Sequence, residues 1–110
     1  MEETVIIEVA GRVTIGPDAK MRDAITEALE AGALNIIMNM ERVTKLDSSG
    51  IGELVAAHSS VKSHGGRFIL VALSERLAAV LQITQVLGIL ETFEEMGAAL
   101  ESLGAAADGG

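Results

Sequence analysis

Two dense apolar runs, residues 34–40 and 67–73, constrain this chain more than anything else in it. Near-continuous apolar runs of that length suit strands buried on both faces rather than strands with one wet face. Each run is followed by an amphipathic stretch. After the first, Ile51, Leu54, Val55, His58 and Val61 mark a stripe over about residues 49–64, and Gly65-Gly66 stops it. After the second, Ser74-Glu75 opens a helix bearing Leu77, Val80 and Leu81, with Ile83, Val86 and Leu87 near its end.

The remaining segments extend the alternation. Residues 4–10 are apolar and β-branched, and residues 12–15 continue extended after Gly11, which predicts an opening strand pair or bulged hairpin. Gly16-Pro17-Asp18 breaks it and suits the start of a helix, on which Met21, Ile25, Ala28 and Leu29 share a face before Gly32. Asn35 and Asn39 interrupt the first apolar run and mark edge or end positions. Glu41-Arg42 is expected to turn the chain toward residues 43–46. Gly88-Ile89-Leu90 leaves room for a small last strand. Thr92 with Glu95 matches a capping box, ahead of a final helix expected to bury Phe93, Met96, Leu100 and Leu103.

Strands alternating with helices imply right-handed crossovers onto a largely parallel sheet, made mixed by the opening strand pair. The expectation is a single α/β domain over residues 4–103. Residues 104–110 are Gly/Ala-rich without an apolar stripe and are predicted to be a disordered tail. A chain of 110 residues is long enough for one core without staples.

Composition narrows the function classes. The formal charge of −8 argues against nucleic acid and anionic membrane as partners. With no Trp or Tyr and two Phe there is no platform for stacking bases. The absence of Cys excludes disulfide and thiol chemistry and fits a reducing cytoplasm. The first residues lack the basic and apolar regions of a signal peptide, and no apolar run reaches the length of a membrane span. His58 and His64 are six residues apart and fall on different helix faces, so no shared metal site follows. Met21, Met38, Met40 and Met96 are core packing by spacing, and the acidic Glu91, Glu94, Glu95 and Glu101 read as a solvated face. No acid, base and nucleophile converge, no cofactor fingerprint is present, and an enzyme is not expected.

What remains is the stretch Asp47-Ser48-Ser49-Gly50-Ile51-Gly52, at the junction of a strand and a helix. The first N–H groups of a helix lack intrahelical partners, and its dipole favours negative charge there. Ser and Asp are preferred N-caps, so capping alone accounts for one of these side chains. It leaves a hydroxyl and two glycines over. Gly50 and Gly52 keep the first turn clear for a close approach by another protein. A phosphate on Ser48 would meet the helix N-terminus and be repelled by Asp47.

The order of elements around this segment resembles the STAS domain, and more narrowly the stand-alone bacterial anti-sigma factor antagonists. The resemblance covers about residues 4–103. Its most specific part is Leu46-Asp47-Ser48-Ser49-Gly50-Ile51-Gly52, supported by Leu81-Gln82-Ile83-Thr84. It implies a sheet with helices packed chiefly on one face, and phosphorylation of the residue after the Asp, which is Ser48, with Ser49 the second choice. It further implies a partner kinase of the histidine-kinase ATPase fold that is also the anti-sigma factor, with Asp47, Ser48, Ser49, Gly50, Ile51 and Gly52 as the partner surface. A metal-dependent serine phosphatase would reset the cycle. In that family an acidic residue often follows the glycine closing the first strand; Thr14 stands there in this chain. The alternative is a constitutive interaction module in which Ser48 and Ser49 only cap the helix.

Overall fold

The computed structural model describes residues 4–13 and 20–109. Its elements alternate as β1 (Thr4–Val13), α1 (Lys20–Glu30), β2 (Asn35–Leu46), α2 (Ser48–Ser63), β3 (Phe68–Val71), α3 (Glu75–Ile83), β4 (Glu91–Phe93) and α4 (Met96–Gly109). The four strands lie in the order β1-β2-β3-β4, and every pairing among the described residues is parallel.

Consecutive parallel neighbours joined by crossovers of one hand must place their connecting helices on the same side. The core shows this. Ile36, Met38 and Met40 of β2 and Phe68 and Leu70 of β3 pack with Ile25, Leu54, Ala57, Val61, Leu77 and Leu81 of α1, α2 and α3. The alternate residues Ile37, Ile69 and Val71 point the other way, onto Ala99, Met96 and Leu103 of α4. Three helices cover one face and one covers the other. The strand period of two thus makes both faces of β2 and β3 apolar, as a continuous apolar run requires.

The opening segment departs from the expected hairpin. Residues 4–13 form one strand, in parallel register with β2 along its length, so the antiparallel pair does not form there. Glu41-Arg42 is likewise not a turn. The register steps from Glu8↔Asn39 to Ala10↔Arg42 and from Gly11↔Val43 to Arg12↔Lys45, so β2 carries an extra residue at each step. Two bulges change the burial period from two to three, and Met40, Val43 and Leu46 all reach the helix-covered core. Asn39 marks the first bulge, its Oδ1 accepting from the Glu41 N–H at 3.0 Å. Asn35 ties the strand's start, accepting from the Arg67 N–H at 3.0 Å.

The helix stops fall where the glycines stand. Gly32 and Gly65 adopt φ of +100° and +86°. In α2 the Gly65 N–H reaches the Lys62 carbonyl (2.9 Å) and the Gly66 N–H the Val61 carbonyl (3.1 Å), a Schellman closure. The same closure ends α3, where Val86 N–H donates to Leu81 (2.8 Å), but there the left-handed residue is Gln85.

Three expectations near the C-terminus are corrected. The last strand begins at Glu91 rather than Gly88, and Thr92 pairs with Leu70 inside it instead of capping a helix. The buried stripe of α4 is Met96, Ala99 and Leu103, which leaves Leu100 exposed. Ile83, at the end of α3, is 80% exposed because Leu77 and Leu81 already supply that helix's core contacts. Helix α4 runs to Gly109, and Leu103 is the last of its described side chains that packs on the sheet.

Candidate functional site

In an open parallel sheet the carboxyl ends of the strands and the N-termini of the following helices meet at one pole. Here β2 ends at Leu46, whose side chain is buried, and a single residue, Asp47, separates it from α2. Asp47 is extended (φ −100°, ψ −177°), and its Oδ1 accepts from the Gly50 N–H at 2.9 Å. It is the N-cap, and replacing such a cap costs about 1 kcal/mol.

That assignment bears directly on the serines. Ser48 and Ser49 are the first two residues inside the helix, and among the described residues neither hydroxyl has a hydrogen-bond partner. The serines therefore do not cap α2. Ser48 is exposed and Ser49 half-buried. Gly50 and Ile51 are buried, Ile51 in the main core, so the exposed part of the motif is Asp47, Ser48 and Gly52. A Cβ added at Gly52 would meet nothing within 4 Å, so no packing inside the domain requires glycine there. Thr14, at the position where the resemblance expects an acidic residue, lies outside the described residues.

One turn further along α2 stands Glu53, 8% exposed on a face otherwise made of Gly50, Ile51, Leu54, Ala57 and Val61. A carboxylate so placed needs a partner. Arg22 of α1 supplies it with two parallel bonds, Nε to Oε1 at 3.1 Å and Nη2 to Oε2. The hydrogen bond to Glu53, and then its charge, raise the Arg22 pKa further above its ordinary value. In the sequence the only sign of this pair is a Glu standing at buried-stripe spacing between Ile51 and Leu54. Its consequence lies with Ser49, which is four residues before Glu53 and therefore on the same helix face. A phosphate on Ser49 would lie against a buried carboxylate, whereas Ser48 faces away from it.

Other polar groups serve the fold. Arg67 grips Glu91 through Nε (3.1 Å to Oε1) and Nη2, and also donates to Ser102 Oγ at 2.7 Å, joining β3, β4 and α4. Glu91 is thus a tie across the sheet rather than part of a solvated face. His64 places Nδ1 2.8 Å from the Ser60 carbonyl at the end of α2, and His58 is half-buried. A groove of about 420 Å³ lies between α1 and α2, floored by Ile25, Leu29 and Ala57. No helix among the described residues is long and apolar enough to cross a membrane.

Comparison with known proteins agrees with this arrangement. The chain is 29% identical over 90 residues to the anti-sigma-B factor antagonist of Bacillus subtilis (strain 168), covering 82% of each. It superposes on the unphosphorylated anti-sigma factor antagonist SpoIIAA with a TM-score of 0.76 at 28% identity, covering 94% of this chain and 91% of that one. The phosphorylated form of SpoIIAA, described as a Bacillus cell fate determinant, gives 0.69 at 26% identity, with 93% of each chain covered. A sulfate transporter family protein from Wolinella succinogenes shares the fold, at a TM-score of 0.80 and 21% identity over 96% of this chain and 88% of that one. Residues 1–99 match the STAS domain family, and the chain belongs to it.

Proposed function

We propose that this protein is an anti-sigma factor antagonist whose partner binding is switched by phosphorylation of Ser48. The observation that carries the reading is the division of labour at the start of α2. Asp47 takes the capping role, which leaves the exposed Ser48 hydroxyl with no structural task. Relatives named as anti-sigma factor antagonists, one of them known in phosphorylated and unphosphorylated forms, support the same reading. The unphosphorylated protein then binds a serine kinase of the histidine-kinase ATPase fold, itself the anti-sigma factor, and releases the sigma factor into transcription. A metal-dependent serine phosphatase restores it, and the cycle belongs to the cytoplasm.

The physics of the switch is asymmetric between fold and interface. A phosphate adds about −1.5 to −2 charges at neutral pH. On the free protein it stays in water beside a helix N-terminus, which offsets the repulsion from Asp47 by roughly 0.3–1 kcal/mol. Beneath a partner it is desolvated, and an unpaired buried charge costs several kcal/mol. A loss of about 3 kcal/mol lowers affinity by roughly two powers of ten.

The test is a pull-down from native lysate with wild-type, Ser48→Ala and Ser48→Asp baits, followed by intact mass after ATP and the captured kinase are added. Wild type should gain one phosphate and Ser48→Ala none while still binding. Ser48→Asp should melt like wild type and bind about a hundredfold more weakly. Equal binding by Ser48→Asp and wild type, with no phosphate gained, would establish a constitutive interaction module instead.

A further inference from the structure

Helices α1 and α2 pack on the same face of the sheet without filling the space between them. The groove of about 420 Å³ that results is floored by Ile25, Leu29 and Ala57 and open to water at Thr26, Ala56 and Ser60. Its walls run from Arg22 to Glu30 on α1 and from Glu53 to His64 on α2, roughly 12 and 16 Å at the helical rise. Small-molecule sites bury most of their ligand. A trough this long and open suits two to three turns of a third helix instead. The small side chains at 56, 57 and 60 keep the α2 wall low, so the ridge of an incoming helix can settle against it.

Charge decides which helix fits. Arg22 spends its Nε and Nη2 on Glu53, and that neutral pair closes the end of the groove nearer Ser48. Asp23, Glu27 and Glu30 then stand exposed along α1, with no ion-pair partner among the described residues. Of the other basic residues on these two helices, Lys20 comes before the first wall residue. Lys62 stands about two and a half turns after Glu53, on the opposite side of α2. At the far end His64 turns Nδ1 onto the Ser60 carbonyl.

We propose that this groove docks a basic amphipathic helix of a partner protein. Its apolar stripe lies on Ile25, Leu29 and Ala57, and its basic flank runs along the carboxylates of α1. The site is separate from the switch, because Ser48 faces away from Glu53 on α2. It therefore stands whether or not Ser48 is phosphorylated.

The experiment needs neither kinase nor phosphate. Uniformly 15N-labelled protein is titrated with an amidated peptide carrying Leu at i, i+3, i+4 and i+7 and Lys elsewhere, and with a scramble of the same composition. The amphipathic peptide should move the amide signals of residues 22–30 and 53–64, and weaken roughly fivefold between ~20 and ~200 mM salt. The scramble should bind at least tenfold more weakly. Ala56→Arg, an exposed wall position, should abolish the shifts, and Glu30→Lys should weaken binding several-fold. Glu101→Lys removes the same charge from exposed α4 and should leave the titration unchanged. Equal shifts with the scramble, shifts spread over the whole chain, or shifts that survive in folded Ala56→Arg would overturn the proposal. Two other occupants would overturn it as well: octylamine moving these signals where the peptide does not, or a second copy, seen as concentration-dependent broadening of the same residues without peptide.

Discussion

At the residue scale, two backbone positions make opposite predictions. Gly66 is buried, and a side chain there would land on the main chain of Leu34, at the carbonyl. The obstacle is backbone rather than a flexible side chain, so β2 would have to move away from the end of α2. Gly66→Ala is expected to cost more than about 3 kcal/mol, within the range of severe single substitutions, seen as loss of the cooperative transition or a large fall in urea midpoint. Gln85 holds φ of +63° at the Schellman closure of α3, where an L side chain costs about 1–2 kcal/mol. Gln85→Gly removes that strain but loosens the unfolded chain by about 0.4–1 kcal/mol. The balance is a gain of roughly 0.5–1 kcal/mol, read as a raised urea midpoint at unchanged m. Gly32 and Gly65 already have the residue that Gln85 lacks.

At the scale of the element, α2 carries the functional argument. Gly52 sits in its first turns, exposed, with open space where a Cβ would go. Glycine costs about 1 kcal/mol relative to alanine in an exposed helix interior, and nothing within the domain repays it. Gly52→Ala should therefore raise stability by about that amount while weakening partner binding, since the extra methyl stands on the proposed contact surface. Stability and affinity rising together would remove the reason offered for the glycine. Denaturant melts and a binding isotherm on the same two proteins decide it. Helix α4 presents a different case. Among the described side chains the last that packs on the sheet is Leu103, and ending the chain after Gly104 should shift Tm by less than about 3 °C. A larger fall would mean that the last residues contribute to the fold.

At the scale of the whole molecule, the layout separates what must be stable from what must be accessible. Both faces of β2 and β3 are sealed, one by three helices and one by α4. The pole where β2 hands over to α2 is left open, with Asp47 and Ser48 exposed on it. The Arg22–Glu53 pair fixes α1 against the first turns of α2, behind that pole. On the proposed reading, a phosphate at Ser48 would change the surface without entering the core. Ser48→Asp should accordingly leave thermal stability within about 0.5 kcal/mol of wild type, the usual range for exposed substitutions, and the two should give superimposable urea transitions.

The sequence by itself determined the alternation of elements, the two central strands, the glycine stops after α1 and α2, and the motif at the head of α2. These follow from local causes: apolar runs at strand length, stripes at helical spacing, and residues that tolerate positive φ. Tertiary structure alone decided the rest. The first ten described residues pair in parallel with β2 because partner choice for a strand depends on distant backbone, which local pattern does not contain. Glu41-Arg42 reads as a turn, yet becomes a bulge because Val43 and Leu46 must still reach the core beneath the helices. Thr92 reads as a cap, yet its backbone is claimed by β3. The role of the serines was undecidable from composition, since Asp and Ser are equally good caps. Only the fold shows that Asp47 caps the helix and leaves Ser48 free.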